Sequence, residues 1–213
     1  YCNDKSKLLP RPISICGINS TEGTLRVVYR VAGEGTKEFS EMKAGDTLEV
    51  MGPLGNGFTM KNEKAIIIGG GIGIPPMLEL AKQLDAEKTV VLGYRTSTFL
   101  KEEFEEVCDV KIATEDGSQG AKGTVIDAIE KYGVEGKVIY ACGPMPMLKA
   151  LAAYAEEHGM EAQISLEERM ACGIGACLGC ICKSKTKDHH TNVNNTRICK
   201  DGPVFNAKEV VFS

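Results

Sequence analysis

Ala65-Ile66-Ile67-Ile68-Gly69-Gly70-Gly71-Ile72-Gly73-Ile74-Pro75-Pro76 opens on four consecutive apolar residues, passes through a glycine-rich turn and ends on two prolines. Four apolar residues in a row lack the alternation of a strand with one wet face, so they predict a strand buried on both sides. Proline is tolerated in the first turn of a helix, where an N–H would have no intrahelical partner, and a helix over 75–84 follows. A strand, a glycine turn and a helix in that order bring backbone N–H groups and a helix N-terminus to one edge, which suits a phosphate. Gly70, Gly71 and Gly73 are the candidate contacts; the plainer alternative is a turn that only packs. The prolines depart from the G-x-G-x-x-G fingerprint. The next strand ends in Gly93-Tyr94-Arg95 rather than in an acid for a ribose, and Arg95 could serve a 2′-phosphate.

The same grammar continues downstream. Short apolar runs predict strands over 89–93, 110–113, 137–141 and 162–166, and helical patterns fall over 100–107, 124–131 and 146–158, the last capped by Gly159. Strands and helices alternating at this spacing imply an α/β domain over 63–166, a five-stranded parallel sheet covered on both faces. Cys142-Gly143-Pro144-Met145 ends the fourth strand on the edge where ligands bind in such sheets. A free thiol there could face a nicotinamide ring, or be a small buried hydrophobe.

Beyond residue 166 the alternation stops, and Cys, Gly, Lys and Asn dominate. Cys172, Cys177 and Cys180 have the C-x4-C-x2-C spacing of plant-type 2Fe-2S centres, with Cys199 as a fourth thiolate. The segment has too few large apolar residues for its own core, so a bound metal or cluster is expected to hold it. A zinc site is the main alternative, with His189 and His190 as possible donors, and a disulfide pair is another. Cys182 is a less favoured ligand. Nine cysteines, an odd number with five between 172 and 199, point to cluster ligation in a reducing compartment, by default the cytoplasm.

Upstream, residues 1–62 read as a small all-β module. Strands are expected over 25–31 and 47–51, with a turn at Gly33-Glu34-Gly35-Thr36 and a stop at Gly52-Pro53. Sixty residues are thin for a closed barrel. Arg11-Pro12-Ile13-Ser14 is extended and carries a guanidinium suited to a pyrophosphate, although a surface arginine beside a proline turn is the plainer reading.

The net charge of -4 gives no electrostatic case for nucleic acid or an anionic membrane surface. The longest apolar run, 65–78, is broken by four glycines and two prolines, and no membrane span is expected.

The order of these motifs, from Arg11-Pro12-Ile13-Ser14 through Gly52-Pro53-Leu54-Gly55 and the glycine loop to Cys142-Gly143-Pro144-Met145, resembles the ferredoxin reductase superfamily. The extension Glu167-Glu168-Arg169-Met170-Ala171-Cys172-Gly173-Ile174-Gly175-Ala176-Cys177-Leu178-Gly179-Cys180, with Cys199-Lys200-Asp201-Gly202-Pro203, is similar to the electron transfer subunits of class 1B dihydroorotate dehydrogenases. This resemblance implies a multi-domain fold: an FAD-binding antiparallel β-barrel over 1–62, N-terminally incomplete here, an NAD-binding domain over 63–166 and a 2Fe-2S domain over 167–213. It implies FAD contacts at Arg11, Pro12, Ile13, Ser14, Val28, Tyr29, Arg30, Gly35 and Thr36. NAD would meet Gly70, Gly71, Gly73, Cys142, Gly143, Pro144 and Met145, and the cluster would be held by Cys172, Cys177, Cys180 and Cys199. The implied partner is an FMN-containing catalytic subunit in a heterotetramer serving pyrimidine biosynthesis, and no residue of this chain would be catalytic. Related readings are the small subunit of a sulfide dehydrogenase or of an NADH-dependent ferredoxin oxidoreductase, or a zinc-stabilised interaction module. Ile13 stands where ferredoxin reductases at large carry a tyrosine, and the 18 residues between Cys180 and Cys199 exceed the family's usual spacing.

Overall fold

The structure, a computed structural model, describes residues 9–187 and 192–212. In the amino-terminal module β1 (Ile15–Asn19) pairs antiparallel with β2 (Thr24–Val27). The strand expected over 25–31 thus starts a residue earlier and stops at Val27. Residues 33–36 begin a helix rather than forming a turn: α1 (Glu34–Glu41) follows Gly33 as its cap, and the Thr36 hydroxyl accepts the N–H groups of Ala32 and Gly33 at 2.9 and 3.1 Å. Glycine is acceptable at that cap and threonine satisfies its orphan donors, while buried Phe39 anchors the helix edge-on against Tyr29. Residues 47–51 form no strand. Their alternation is present, but none of the described strands pairs with them, and Val50 is 77% exposed. The described residues of this module therefore give one hairpin and a helix, not an all-β barrel.

The central sheet follows. In chain order its elements are β3 (Ala65–Gly70), α2 (Ile74–Gln83), β4 (Lys88–Tyr94), α3 (Lys101–Glu105), β5 (Asp109–Thr114), β6 (Ala121–Lys122), α4 (Val125–Tyr132), β7 (Val138–Cys142), α5 (Met145–Glu157) and β8 (Glu161–Ser165). The carboxy-terminal segment adds a hairpin of β9 (Ile181–Lys183) and β10 (Asn195–Arg197), then β11 (Val204–Asn206). The sheet has seven strands rather than five, in the order β11-β8-β7-β3-β4-β5-β6. The five expected strands are all parallel; β6 extends one edge in parallel and β11 closes the other antiparallel.

Alternate residues of β3 feed two cores, as a doubly covered sheet requires. Ile67 packs with Met77, Leu78 and Phe104 of α2 and α3, whereas Ile66 and Ile68 pack with Ile129, Leu148 and Leu151 of α4 and α5. Cys180, Ile198, Cys199 and Val210 join the second core, so the cysteine-rich segment is held by shared packing as well as by β11. No helix among the described residues is long and apolar enough to cross a membrane.

The link between the first module and the sheet is pinned by two side chains. Gln163 accepts the Thr59 N–H and donates to the Thr59 carbonyl, both at 2.9 Å, while the Tyr140 hydroxyl accepts the Lys61 N–H at 2.9 Å and donates to the Thr59 carbonyl at 3.3 Å.

Thr124 caps α4 in a reciprocal arrangement with Asp127, whose carboxylate accepts the Thr124 N–H at 2.6 Å. Thr124→Ala should cost about 1 kcal/mol. It should appear as a lower urea midpoint with an unchanged slope.

Candidate functional site

β3 and β7 are neighbours, with Gly69 opposite Cys142 at their carboxyl ends. The chain leaves β3 towards β4 on one side and reaches β7 on the other, so strand order reverses between them. That is the crevice in which open α/β sheets bind ligands. The two motifs expected to contact NAD meet there. A Cβ on Gly70 would lie 2.5 Å from Met147 Sδ, one on Gly143 would lie 3.1 Å from Gly70 Cα, and one on Gly73 would run into the Cys142 carbonyl and lie 2.6 Å from Gly143 N. Gly71, at φ +52°, has open space where its Cβ would point. Pro75 and Pro76 lie in the first turn of α2 and bring no N–H, so donation on this edge falls to the glycine loop. Pro144 caps α5 and Met145 opens it. The Cys142 thiol is pushed up to about 11 by burial, with a hydrogen bond to Ser165 opposing the shift, and it packs against the first core.

In the first module the Arg11 guanidinium lies directly over Gly35, where any Cβ would collide with it. Arg11, Gly35 and Thr36 therefore come together at the start of α1. Exposure alternates along the extended run, with Pro12 and Ser14 exposed and Arg11 and Ile13 half-buried. Val28 turns to the core beneath α2, Tyr29 packs on Phe39, and Arg30 is exposed.

The four cysteines are organised by backbone donors. Ala176 and Cys177 direct their N–H groups at Cys172 Sγ (3.3 and 3.4 Å), Gly179 at Cys177 Sγ (3.4 Å), Gly175 at Cys199 Sγ (3.2 Å) and Cys199 at Cys180 Sγ (3.4 Å). Gly173, Gly175 and Leu178 adopt positive φ of 73°, 82° and 57°. These left-handed residues fold the loop so that successive N–H groups point inward, a concave nest for anionic sulfur. N–H groups of Cys177 and Ile174 hold the Cys172 thiol down at about 6, whereas burial pushes Cys199 up to about 11.

No three His, Cys, Asp or Glu side chains among the described residues are grouped as a single metal ion needs. Four thiols that together accept five N–H···S bonds suit a two-iron cluster, which takes four thiolates and is tuned by hydrogen bonds to sulfur. Cys182 sits on β9 opposite Thr196, half-buried against the second core, with its thiol pushed up to about 11 by burial. His189 and His190 lie outside the described residues.

Sequence reading missed the brace behind Cys199. The Asp201 carboxylate accepts the Arg197 N–H at 2.8 Å and pairs with its guanidinium at 3.0 Å, across a four-residue spacing that could have flagged it.

Residues 167–211 match the family model for the iron-sulfur cluster binding domain of dihydroorotate dehydrogenase B, and residues 67–153 match the oxidoreductase NAD-binding domain. The dihydroorotate dehydrogenase B (NAD(+)) electron transfer subunit of Caldanaerobacter subterraneus subsp. tengcongensis is 46% identical over 213 residues, covering 99% of this chain and 84% of that one. The protein of the same name from Fusobacterium nucleatum is 44% identical over 219 residues, covering 97% and 82%. A chain of the NADH-dependent reduced ferredoxin-NADP oxidoreductase structure, described in terms of flavin-based electron bifurcation, superposes with a TM-score of 0.84 at 32% identity, covering 95% of this chain and 74% of that one. Identity sustained at that level over nearly the whole length, with both domain matches in place, makes this chain a member of the dihydroorotate dehydrogenase B electron transfer subunit family.

Proposed function

We propose that this chain carries electrons between NAD and a separate FMN-bearing, dihydroorotate-oxidising subunit, through FAD and a 2Fe-2S cluster. It is an oxidoreductase subunit of NAD-linked electron transfer. In the biosynthetic direction electrons leave dihydroorotate at the partner and end on NAD+, in the route to UMP; the two subunits assemble as a heterotetramer. FAD supplies the conversion between two-electron hydride chemistry and single-electron steps.

The residues of this chain bind and orient. Gly70, Gly71 and Gly73 receive the dinucleotide phosphates with backbone donors, and residues 142–145 form the floor beside them. Arg11 over Gly35 at the start of α1 offers a guanidinium and a helix N-terminus to the flavin pyrophosphate. Cys172, Cys177, Cys180 and Cys199 hold the cluster. In this reading residues 1–62, 63–166 and 167–213 serve flavin, NAD and cluster in turn, and no side chain of this subunit is catalytic.

The observation that carries the reading is the set of five backbone N–H groups aimed at the four sulfurs. A small subunit of an NADH-linked ferredoxin oxidoreductase shares the fold, but its likeness rests on 32% identity against 46%. Purification from the native host under anaerobic conditions separates the two. An FMN protein should accompany the chain, and the pair should reduce NAD+ with dihydroorotate; recovery with a ferredoxin-reactive subunit and no dihydroorotate activity would contradict the proposal.

A further inference from the structure

Cys172 and Cys199 are the outermost members of the cysteine set, 27 positions apart in the chain. Both are approached by one short loop from the first module, residues 51–56. At the Cys172 end, Met51 and Leu54 close on Gly173, where a Cβ would lie 3.2 Å from Met51 Cε and from Leu54 Cδ1. At the Cys199 end, Asn56 makes four hydrogen bonds to the residues that follow. Its Nδ2 donates to the carbonyls of Lys200 (2.8 Å) and Asp201 (3.2 Å). Its backbone N–H donates to the Gly202 carbonyl at 2.6 Å, and its own carbonyl accepts the Val204 N–H at 3.4 Å.

The approach depends on glycine at 55. Its φ is +73°, and a Cβ there would lie 2.5 Å from the Gly202 carbonyl oxygen and 2.8 Å from Pro203 Cδ. On its far side the same turn is braced by Asp201 on Arg197. The turn carrying Cys199 is thus clamped between its own hairpin and a side chain 144 positions away.

We propose that Asn56 is a positioning residue for electron transfer: it fixes the turn carrying Cys199, and with it the cluster, at a set distance and orientation from the flavin module. This rests on the cofactor assignment made above. The physical reason is geometric. Elsewhere the first module is tied to the sheet through Thr59 and Lys61, and to α2 and α3 through Ile18 on Glu79 and Arg26 on Glu103. The 51–56 loop couples the module to the cysteine-bearing turns themselves. Electron transfer between two held cofactors falls off exponentially with the gap between them, so a turn free to shift lengthens that gap and slows the step.

Two variants of the full-length holoprotein test it. Asn56→Ala removes both Nδ2 donors. Asn56→Asp keeps size and backbone bonds but sets a carboxylate against two carbonyls. Iron, acid-labile sulfide and flavin are assayed first, then NADH is mixed anaerobically and flavin and cluster reduction are followed separately by stopped flow and freeze-quench EPR. Both variants should keep full cofactor content and wild-type flavin reduction, while cluster reduction slows several-fold. Hydrogen exchange over residues 200–204 should accelerate in both. Wild-type cluster reduction in both variants, unchanged exchange, or loss of iron in place of slower transfer would overturn the positioning role. A wild-type chain lacking iron and sulfide would sink the cluster assignment itself, before either variant is compared.

Discussion

Cys177→Ser should abolish the visible absorbance of the iron-sulfur cluster and remove iron and acid-labile sulfide from the purified chain, while leaving its fold and flavin content in place. The four cysteines are not equally good test sites. Cys180 and Cys199 are 2% and 4% exposed and belong to the second core, so a hydroxyl at either would sit in apolar surroundings and disturb packing as well as ligation. Cys177 is exposed and makes no core contact, so its loss removes one thiolate and little else. Its sulfur accepts a single N–H, from Gly179. Cys182→Ser provides the contrast. That residue stands two positions from Cys180 but on β9, half-buried against the core, and its replacement should leave iron content unchanged. Equal iron in Cys177→Ser and wild type would remove Cys177 from the ligand set; iron lost from Cys182→Ser and kept in Cys177→Ser would exchange the two.

Gly73→Ala should impair the nucleotide site as severely as Cys177→Ser impairs the cluster. A methyl group at 73 would point into the Cys142 carbonyl and lie 2.6 Å from Gly143 N, and backbone on β7 cannot rotate aside as a flexible side chain would. The 142–145 turn must move away from the glycine loop, which opens the crevice between β3 and β7. Flavin reduction by NADH is expected to fall about 100-fold, a loss typical of misplacing reactants by an ångström. Iron and flavin content, measured on the same sample, should stay near wild type. Gly71→Ala is the informative neighbour, because open space surrounds its Cβ position and the only strain comes from φ +52°. Its defect should be the smaller of the two. Equal or reversed defects would mean that the crevice is not where nicotinamide meets flavin.

The α/β part of the fold was legible because its strands are short runs of buried β-branched residues bounded by glycines and helices, and each lies within a residue or two of its expected place. Two strands escaped. β6 has only two residues, and β11 has three that pair with Ser165, Ile164 and Gln163 from about forty positions away, too short and too distant for any local pattern. In the first module the failures run the other way. Gly33 and Gly35 suggested a turn, yet one caps α1 and the other admits Arg11 against its backbone. Residues 47–51 alternate like a strand but have no partner strand among the described residues, and strand formation is a property of pairs. At the cysteines, residue spacing singled out the four thiols proposed as the donor set. The N–H groups that organise the sulfurs, and the reach of Asn56 across 144 positions, are tertiary facts with no sequence signal.

In the proposed relay this chain joins NAD to an iron-sulfur cluster through a flavin. The most direct measurement is EPR of the anaerobically purified full-length chain before and after NADH, with iron, sulfide and zinc quantified on the same sample. Iron and sulfide in equal amounts, flavin, no stoichiometric zinc, and a paramagnetic reduced 2Fe-2S signal that appears on adding NADH are expected. Stoichiometric zinc without iron or sulfide, or a cluster that stays oxidised and EPR-silent under NADH in the flavin-replete protein, would contradict the relay.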